Sequence, residues 1–427
     1  KACIGKPIEG SNPSSSAEDC HHGEGRVSNT ESCDVLIIGS GIVGLSIGIA
    51  LLQANPQIKV TVVDKEKMAG LHASGRNSGV LHAGFYYSPD SLKAKFCREG
   101  NLELRQLCHE NKIPVVETGK VVVARNQDEN QRLDLLYSRG VANGVKLEIL
   151  ESGALQKFEP LAQTFERFLW SPNTAISDPR AVSEAMVNRF LSLGGKITYG
   201  KNVHLKSEFG EVRVPGFSAK YVVNSAGAQS DRIARGLGLA REYAMVPFMG
   251  VYRAVKTSKL PVTRLVYPVP HPINPFLGVH FTLTLDGKVK IGPTAIPILG
   301  REQYSLFSGW NISDIGQAIL ATKALIQGEA HSFGEILKSE LPKLREKSLV
   351  RESTTLVPQA AKVKEWQKKP PGIRSQLVNT KTGKLEQDFI VENYLNSTHV
   401  LNAVSPGWTS AIPFGRWVAT EKVLPNL

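Results

Sequence analysis

The fold is decided by one short stretch near the start of the chain, Asp34-Val35-Leu36-Ile37-Ile38-Gly39-Ser40-Gly41-Ile42-Val43-Gly44. Its apolar run, residues 35–38, is typical of a strand buried inside a parallel sheet. The chain from Gly39 to Gln53 has the pattern of a turn followed by an apolar helix, and residues 59–64 indicate a second strand. Together these segments predict a β-α-β unit.

The glycines of this stretch have the spacing of a dinucleotide-binding turn. Gly39 permits the tight turn, Gly41 lets the backbone approach a pyrophosphate, and Gly44 lets the helix pack closely against the strand. The free N–H groups at the helix N-terminus also attract the anion. Asp64 ends the second strand, where its carboxylate can accept hydrogen bonds from the hydroxyls of an adenosine ribose. A carboxylate at this place disfavours a 2′-phosphate, and therefore disfavours NADP.

A second turn, near the C-terminus, distinguishes an FAD site from an NAD site, which the first turn cannot do. The segment is rich in small residues and leads into a helix: Ser405-Pro406-Gly407-Trp408-Thr409-Ser410. Such a turn offers backbone N–H groups to a flavin or its phosphates. We therefore predict FAD, with Gly407, Thr409 and Ser410 in contact with it, because an NAD-dependent dehydrogenase would leave this turn without a role.

The composition bounds the size of the core and the class of partner. With 427 residues, 41% of them hydrophobic, the chain can bury a large core and is too long for one ordinary domain. The net charge is +12, but the basic residues are scattered and no nucleic-acid motif accompanies the densest group, residues 362–369. We therefore expect no nucleic-acid partner. No apolar stretch reaches the roughly 20 residues of a membrane-spanning helix.

The cysteines and the first residue bear on the compartment. The five cysteines are an odd number and contain no Cys-x-x-Cys pair, which predicts free thiols in a reducing compartment and no metal site. The sequence begins with Lys1 rather than Met, as in a processed precursor or a truncated sequence.

The remaining pattern divides the chain between two interleaved domains. Residues 1–32 are polar and aperiodic, which predicts a flexible leader. Residues 248–292 alternate β-branched and aromatic runs with turns, which favours an antiparallel sheet. The prediction is an α/β (α+β) protein. A Rossmann-like FAD-binding domain, residues 33–92, 175–235 and 376–427, is interleaved with an antiparallel-sheet substrate domain, residues 93–174 and 236–375.

Four segments resemble the L-2-hydroxyglutarate dehydrogenase family, which has the amino-acid-oxidase-like fold. They follow the family's order and are Arg76–Tyr87 with Ser91–Ala94, Phe276–Thr282, Pro371–Gln376 and Asn402–Pro413. A further segment, Asn224-Ser225-Ala226-Gly227, resembles a flavin-domain strand of the broader amino-acid-oxidase-like group.

The resemblance implies FAD-dependent oxidation of L-2-hydroxyglutarate to 2-oxoglutarate. The partners would be a small dicarboxylate substrate and a non-nicotinamide electron acceptor, either a quinone or an electron-transfer flavoprotein. The flavin supplies the redox chemistry, and the protein supplies orientation and charge. Within the matching segments, the flavin is expected to contact Asn77, Ser78 and Gly227. Together with the processed start and the basic balance, the resemblance implies a mitochondrial protein with at most a peripheral membrane contact.

The resemblance also implies the residues of the active site. His82 and His280 are the candidates for the base that takes the hydroxyl proton, since the pKa of histidine lies near working pH. Arg374 is the first candidate for binding a substrate carboxylate and Arg76 is the second, because a guanidinium can donate two hydrogen bonds to a carboxylate. Tyr86 is expected to line the site.

Three positions depart from the family pattern. Arg76 stands where members often carry His, Met249 stands where they carry Arg, and Trp408 replaces a small residue. Met249 matters most, because a missing cation could change how a substrate carboxylate is bound. Two alternatives therefore stay open. One is an oxidoreductase of the same fold that acts on another 2-hydroxy acid or on an amino acid, and the other is a flavin-binding assembly protein with little turnover.

Overall fold

The computed structural model describes residues 30–271, 276–305, 309, 311–328 and 333–427. Residues 1–29 of the predicted leader lie outside the described residues. The prediction is wrong for the last part of that leader, because Glu31 and Ser32 already pair in parallel with Phe217 and Ser218. A ladder of this kind is made by backbone groups, so the polar side chains of the segment gave no sign of it.

Strands and helices alternate along the first part of the chain, and strands dominate its middle. In chain order the strands are β1 (Glu31–Ile38), β2 (Val60–Val63), β3 (Val80–Leu81), β4 (Lys120–Val123), β5 (Glu148–Glu151), β6 (Arg167–Ser171), β7 (Ala175–Ile176), β8 (Lys196–Thr198), β9 (Lys206–Glu208), β10 (Glu211–Arg213), β11 (Phe217–Asn224), β12 (Tyr243–Lys256), β13 (Leu265–Pro268), β14 (His280–Leu283), β15 (Lys288–Gly292), β16 (Ile296–Pro297), β17 (Gln367–Asn379), β18 (Lys384–Leu385), β19 (Ile390–Tyr394) and β20 (Ser397–Asn402). The α-helices are α1 (Ile42–Ala54), α2 (Leu92–Glu110), α3 (Gln127–Ala142), α4 (Leu155–Phe158), α5 (Pro179–Ser192), α6 (Ser230–Arg235), α7 (Ile312–Gln327), α8 (Phe333–Glu340), α9 (Glu346–Thr354) and α10 (Ala411–Val418).

The first large sheet is the mainly parallel sheet that the glycine stretch predicts. Its strand order is β19-β20-β11-β1-β2-β8. The strands from β20 to β8 run parallel to one another, and β19 is an antiparallel edge strand. The helix α1 joins β1 to β2 and packs against α5 and α10. The predicted β-α-β unit is therefore confirmed.

The second large sheet has the order β18-β17-β12-β15-β14-β13-β4-β6-β5, with β16 beside β12. The neighbouring strands are antiparallel, as predicted, except that β4 and β13 run parallel. These two strands are far apart in the chain, so no hairpin sets their relative direction. The sheet carries its own core, which includes Phe168, Phe281 and Leu349.

Two boundaries of the predicted division differ from the packing. The strands β17 and β18 pair within the second sheet, so residues 376–385 do not belong with the first sheet. The helix α2 packs against α10, with the Phe96 and Phe414 ring centroids 5.8 Å apart. Residues 93–110 therefore lie with the helices of the first sheet, because the apolar side of α2 completes that core. The rest of the division stays a prediction.

The helix start that the local sequence predicts is also present. The helix α5 begins at Pro179, and the Asp178 carboxylate caps it by accepting hydrogen bonds from the backbone N–H of Arg180 and Ala181. Among the described residues, Cys33, Cys97 and Cys108 are free and buried. In the described part of the chain, no helix is both long and apolar enough to cross a membrane.

A buried ion network centred on Arg301 ties the loop after β16 to α6 and α7. The Arg301 guanidinium donates to both carboxylate oxygens of Asp231, to the Ala228 carbonyl and to the side chain of Gln317. It also lies 3.3 Å from the Asp314 carboxylate. The side chains of Arg301 and Asp231 are 1% and 0% exposed, so neither charge is compensated by water.

We expect Arg301→Met to lower the free energy of unfolding by about 3–5 kcal/mol, because it removes one of the two guanidiniums that compensate the buried Asp231 carboxylate and leaves only Arg235 beside it. Chemical denaturation of the flavin-loaded protein would measure this loss. The control is Arg416→Met, which removes a pair with Glu103 whose arginine side chain is 51% exposed and should cost at most about 1 kcal/mol. Equal losses in the two variants would contradict the assignment of Arg301 to the core.

Candidate functional site

A cavity of about 1210 Å³ is lined by residues of both sheets. This volume exceeds the roughly 300–1,000 Å³ of an ordinary ligand pocket, so it can take a large ligand together with a small one. All five residues predicted for catalysis line it, namely Arg76, His82, Tyr86, His280 and Arg374. Of the residues predicted for the cofactor, the cavity is lined by Gly39, Gly41, Asp64, Asn77, Ser78, Gly227, Gly407 and Thr409.

The glycine turn sits where β1 ends against the strand end of β11. Gly39 has a φ of +104°, and a Cβ there would lie 2.6 Å from the Ser225 carbonyl oxygen. A Cβ on Gly44 would lie 2.1 Å from the Gly39 carbonyl oxygen. Gly44 therefore sits beneath the turn and outside the cavity wall, while the N-terminus of α1 faces the cavity through Gly41 and Ile42.

Asp64 holds this turn in place from the end of β2. Its Oδ2 atom accepts hydrogen bonds from the Ser40 backbone N–H at 2.7 Å and from the Ser40 hydroxyl at 2.6 Å. Its Oδ1 atom accepts from the backbone N–H of Glu66 at 2.9 Å. A carboxylate has about four lone-pair sites, so the group can still accept a ligand hydroxyl. The sequence did not single out Ser40, although a hydroxyl between two turn glycines was a visible signal.

The C-terminal turn is fastened to the segment that carries His82. The Thr409 hydroxyl donates to the Val80 carbonyl at 3.2 Å and accepts from the His82 backbone N–H at 3.3 Å. This hydroxyl is therefore already used by the protein, while the Gly407 backbone lies at the cavity wall. Ser410 is fully buried behind the wall at the start of α10. The flavin contacts expected of Thr409 and Ser410 stay predictions.

The loop between β2 and β3 forms another part of the wall. The Asn77 side chain is used within the loop, because it donates to the Ala73 and Ser74 carbonyls and accepts from the Gly79 backbone N–H at 2.8 Å. Ser78 faces the cavity. On the opposite side Gly227 has a φ of +55°, and no atom lies within 4 Å of the position of a Cβ.

His280 is a neutral imidazole with a defined tautomer. Its Nδ1 atom lies 2.8 Å from the Gly278 carbonyl oxygen, which can only accept, so Nδ1 carries the hydrogen and Nε2 keeps a lone pair. Burial and the neighbouring Arg374 cation lower the pKa of His280 to about 3. The ring stacks on Tyr267 with centroids 3.9 Å apart. Nε2 can therefore accept a proton from a ligand hydroxyl.

His82 is also neutral, but its ring is held differently. Burial, followed by the charge of Lys120, lowers the pKa of His82 well below the usual value. Its buried Nδ1 atom has no hydrogen-bond partner among the described residues. The same is true of the Tyr86 hydroxyl. Both atoms therefore fit a ligand that bonds to them, since a buried polar atom without a partner costs free energy.

The two predicted arginines are among the residues that line the same cavity. Arg374 donates to the Thr294 carbonyl at 2.9 Å and lies 4.8 Å from the Phe276 ring centroid. Arg76 donates to the Leu71 carbonyl at 2.7 Å and lies 4.2 Å from the Tyr304 ring centroid. Each makes this one hydrogen bond within the described part of the chain, so further N–H groups are left for a carboxylate.

Met249 lies apart from these cations. Its side chain is buried in a small apolar cluster with Ile298 and Ile373, and it does not line the cavity. The methionine that stands here in place of a cation therefore makes apolar contacts, and it does not open a gap in the cavity wall.

Residues 34–421 match the FAD-dependent oxidoreductase family. The chain belongs to this family. The fold agrees, because an L-α-glycerophosphate oxidase of Mycoplasma pneumoniae, solved with FAD bound, has a TM-score of 0.71 at 23% sequence identity. The similarity covers 92% of this chain and 94% of that one.

Relatives with a more specific name match nearly the whole chain. An L-2-hydroxyglutarate dehydrogenase of Indibacter alkaliphilus is 35% identical over 89% of this chain and 96% of its own length. A mitochondrial L-2-hydroxyglutarate dehydrogenase of Caenorhabditis elegans is 34% identical over 91% of this chain and 93% of its own length.

The cavity of this oxidoreductase fits FAD along its length. Buried polar atoms without a partner among the described residues face it from several elements, and besides His82 and Tyr86 they belong to Gln229, Asn402 and Trp408. The glycine turn and the N-terminus of α1 would hold the pyrophosphate, because Gly41 leaves the backbone open to the cavity and the helix N-terminus carries a partial positive charge. Asp64 would hold the adenosine ribose, and the loops after β11 and β20 would hold the flavin end.

A group of acidic and histidine side chains lies at the edge of this cavity. Glu66, His72 and Glu302 place one ligand atom each within 4.8 Å of one another. The Lys65 ammonium lies 2.6 Å from Glu66 and 2.8 Å from Glu302. The lysine already compensates the carboxylates, so we assign no metal to this group.

We expect Gly41→Val to yield a folded protein that has lost its flavin, because the side chain would occupy the space of the pyrophosphate. The absorbance of the purified protein near the flavin bands measures this loss. The control is Gly153→Val, at a position where no atom lies within 4 Å of a Cβ, and it should stay yellow. A fully yellow Gly41→Val protein would contradict the assignment of this turn.

Proposed function

We propose that this oxidoreductase oxidises L-2-hydroxyglutarate to 2-oxoglutarate and passes the electrons to a non-nicotinamide acceptor. The observation that carries the proposal is the joint placement of two neutral histidines and two guanidiniums in the wall of one FAD-sized cavity. A 2-hydroxydicarboxylate has one hydroxyl to deprotonate and two carboxylates to bind. The names of the relatives point to the same substrate.

The arginines would orient the substrate through its carboxylates. Arg374 is anchored by Thr294 and Phe276 on the second sheet, and Arg76 is anchored by Leu71 and Tyr304 near the glycine turn. Charged hydrogen bonds of this kind contribute about 1.5–3 kcal/mol each. Two fixed cations therefore favour a dicarboxylate over a monocarboxylate of similar shape.

His280 would take the hydroxyl proton at Nε2. The hydrogen bond from Nδ1 to the Gly278 carbonyl fixes the ring and stabilises the imidazolium that results. A dianionic substrate beside the ring would raise its low pKa, because an opposite charge favours the protonated form. His82 would orient the substrate or the flavin from the other side. FAD, when bound, supplies the acceptor for the hydride from carbon 2.

The acceptor and the compartment are part of the same proposal. A quinone or an electron-transfer flavoprotein would take the electrons, and any contact with a membrane would be peripheral. The relative from Caenorhabditis elegans is named mitochondrial, whereas the bacterial relative is not. We propose a mitochondrial location on the strength of the eukaryotic relatives.

The reaction predicts which compounds reduce the flavin. We expect L-2-hydroxyglutarate to bleach the flavin of the wild-type protein under anaerobic conditions faster than D-2-hydroxyglutarate, L-lactate or a panel of amino acids. Stopped-flow absorbance measures these rates directly. Faster reduction by a monocarboxylate or an amine would contradict the substrate and leave the fold intact. Reduction by none of them would favour a flavin-binding assembly protein.

The assignment of the base predicts a difference between the two histidines. We expect His280→Ala to slow flavin reduction by about 100- to 10,000-fold while FAD stays bound, because the hydroxyl proton loses its acceptor. His82→Ala should slow it less. Single-turnover reduction at saturating substrate measures both variants. A larger loss in His82→Ala than in His280→Ala would transfer the role of base to His82.

A further inference from the structure

Lys120, the first residue of β4, is a buried cation without a hydrogen-bond partner. The residue is 0% exposed, and its Nζ atom has no partner among the described residues. Lysines are almost never buried so completely unless a carboxylate pairs with them. The position is therefore costly to maintain, and no carboxylate of the described residues forms an ion pair with Lys120.

Three aromatic rings surround the Lys120 ammonium instead. Nζ lies 5.0 Å from the ring centroid of Phe85, 4.8 Å from Tyr86 and 4.6 Å from Tyr267. The faces of aromatic rings attract a cation. This aromatic cage, formed by Phe85, Tyr86 and Tyr267, favours the charged form of the lysine without neutralising it.

Two rings of the aromatic cage belong to the wall of the active-site cavity, whereas Lys120 does not. Tyr86 and Tyr267 line the cavity, and Tyr267 also stacks on His280. The charge of Lys120 contributes to the low pKa of His82 and of His280. Its field therefore reaches the groups that would meet the substrate, through protein rather than water.

We propose that Lys120 is a positioning residue of the active site, whose buried ammonium attracts the dianionic substrate. The proposal rests on the proposed function and deepens it, because it adds a buried positive charge to those of Arg374 and Arg76. Lys120 touches neither substrate nor flavin, since it does not line the cavity.

The proposal makes substrate binding depend on pH. Burial lowers the pKa of Lys120 to about 7, so the cation is present below this value and is lost as the pH rises through it. Substrate binding then weakens with rising pH. A bound dianion raises the pKa of Lys120, and a rise of one unit corresponds to about a tenfold change in affinity.

The histidine, cysteine and tyrosine side chains around Lys120 do not have pKa values within this range. Burial lowers the pKa of His82 well below its usual value and the pKa of His280 to about 3. Burial raises the pKa of Cys97 to about 12, and it also raises the pKa values of Tyr86 and Tyr267 above their usual range. Two further lysines do titrate there, because burial lowers the pKa values of Lys93, which lines the cavity, and of Lys290 to about 8 each. The difference between the wild type and a Lys120 variant therefore reports on Lys120.

The experiment compares Lys120→Met and Lys120→Arg in the flavin-loaded protein. The probe is 2-oxoglutarate, whose Kd is read between pH 6 and pH 9 from the change in flavin absorbance. We expect Lys120→Met to raise the Kd at pH 6 by about tenfold and to remove the part of its pH dependence that lies near pH 7. The melting temperature should stay equal or rise, because methionine of similar size removes an unpaired buried charge. Lys120→Arg should bind tightly and should also lack the change near pH 7, because its charge persists.

The control variant is Lys422→Met. Lys422 also lies over an aromatic ring, 5.3 Å from the Trp417 centroid, but away from the cavity wall. Its Kd should match that of the wild type at every pH.

An unchanged Kd and an unchanged pH profile in Lys120→Met, with flavin retained, would overturn the proposal alone. If that variant loses its flavin, Lys120→Arg decides: loss of the change in Kd near pH 7 supports the proposal, and the wild-type profile overturns it. No binding of 2-oxoglutarate to the wild type at any pH would overturn both this proposal and the proposed substrate.

Discussion

The close approach of Gly39 to Ser225 is the constraint on which the rest of the site depends. The ends of the neighbouring parallel strands β1 and β11 lie so close together here that the Ser225 carbonyl leaves no room for a Cβ at Gly39. The ends of β2 and β20 lie at the same edge of the sheet, because parallel strands all point one way. A single edge therefore collects the glycine turn, Asp64, the Gly227 loop and the C-terminal turn.

The active-site end of the cavity is built around uncompensated positive charge. Arg374 and Arg76 are anchored by backbone carbonyls and aromatic rings, and Lys120 is anchored by rings alone. Arg301, by contrast, has a buried carboxylate partner in Asp231. This contrast separates a cation that stabilises the fold from cations that await an anion. Burial is the main cause of the low pKa values of both histidines, and the neighbouring cations lower them further.

The fold and the residues of the cavity wall could be predicted from the sequence, but the contacts between distant segments could not. The glycine stretch, Asp64 and the cap at Asp178 were readable because each depends on neighbours in the chain. The contact of Thr409 with His82 joins residues 327 positions apart, and no local pattern encodes it. Lys120 was missed because one lysine before an apolar strand has no signature, and only the tertiary fold brings its three rings together.

The order of the strands also determines when the first sheet can be completed during translation. The strand β1 leaves the ribosome among the first described residues, yet its sheet is completed by β20 and its helical layer by α10, near the last residues. During translation the apolar surface of α1 that α10 later covers therefore stays exposed until the C-terminal segment emerges. A chaperone that shields α1 during that interval would act on the same surface that α10 later covers.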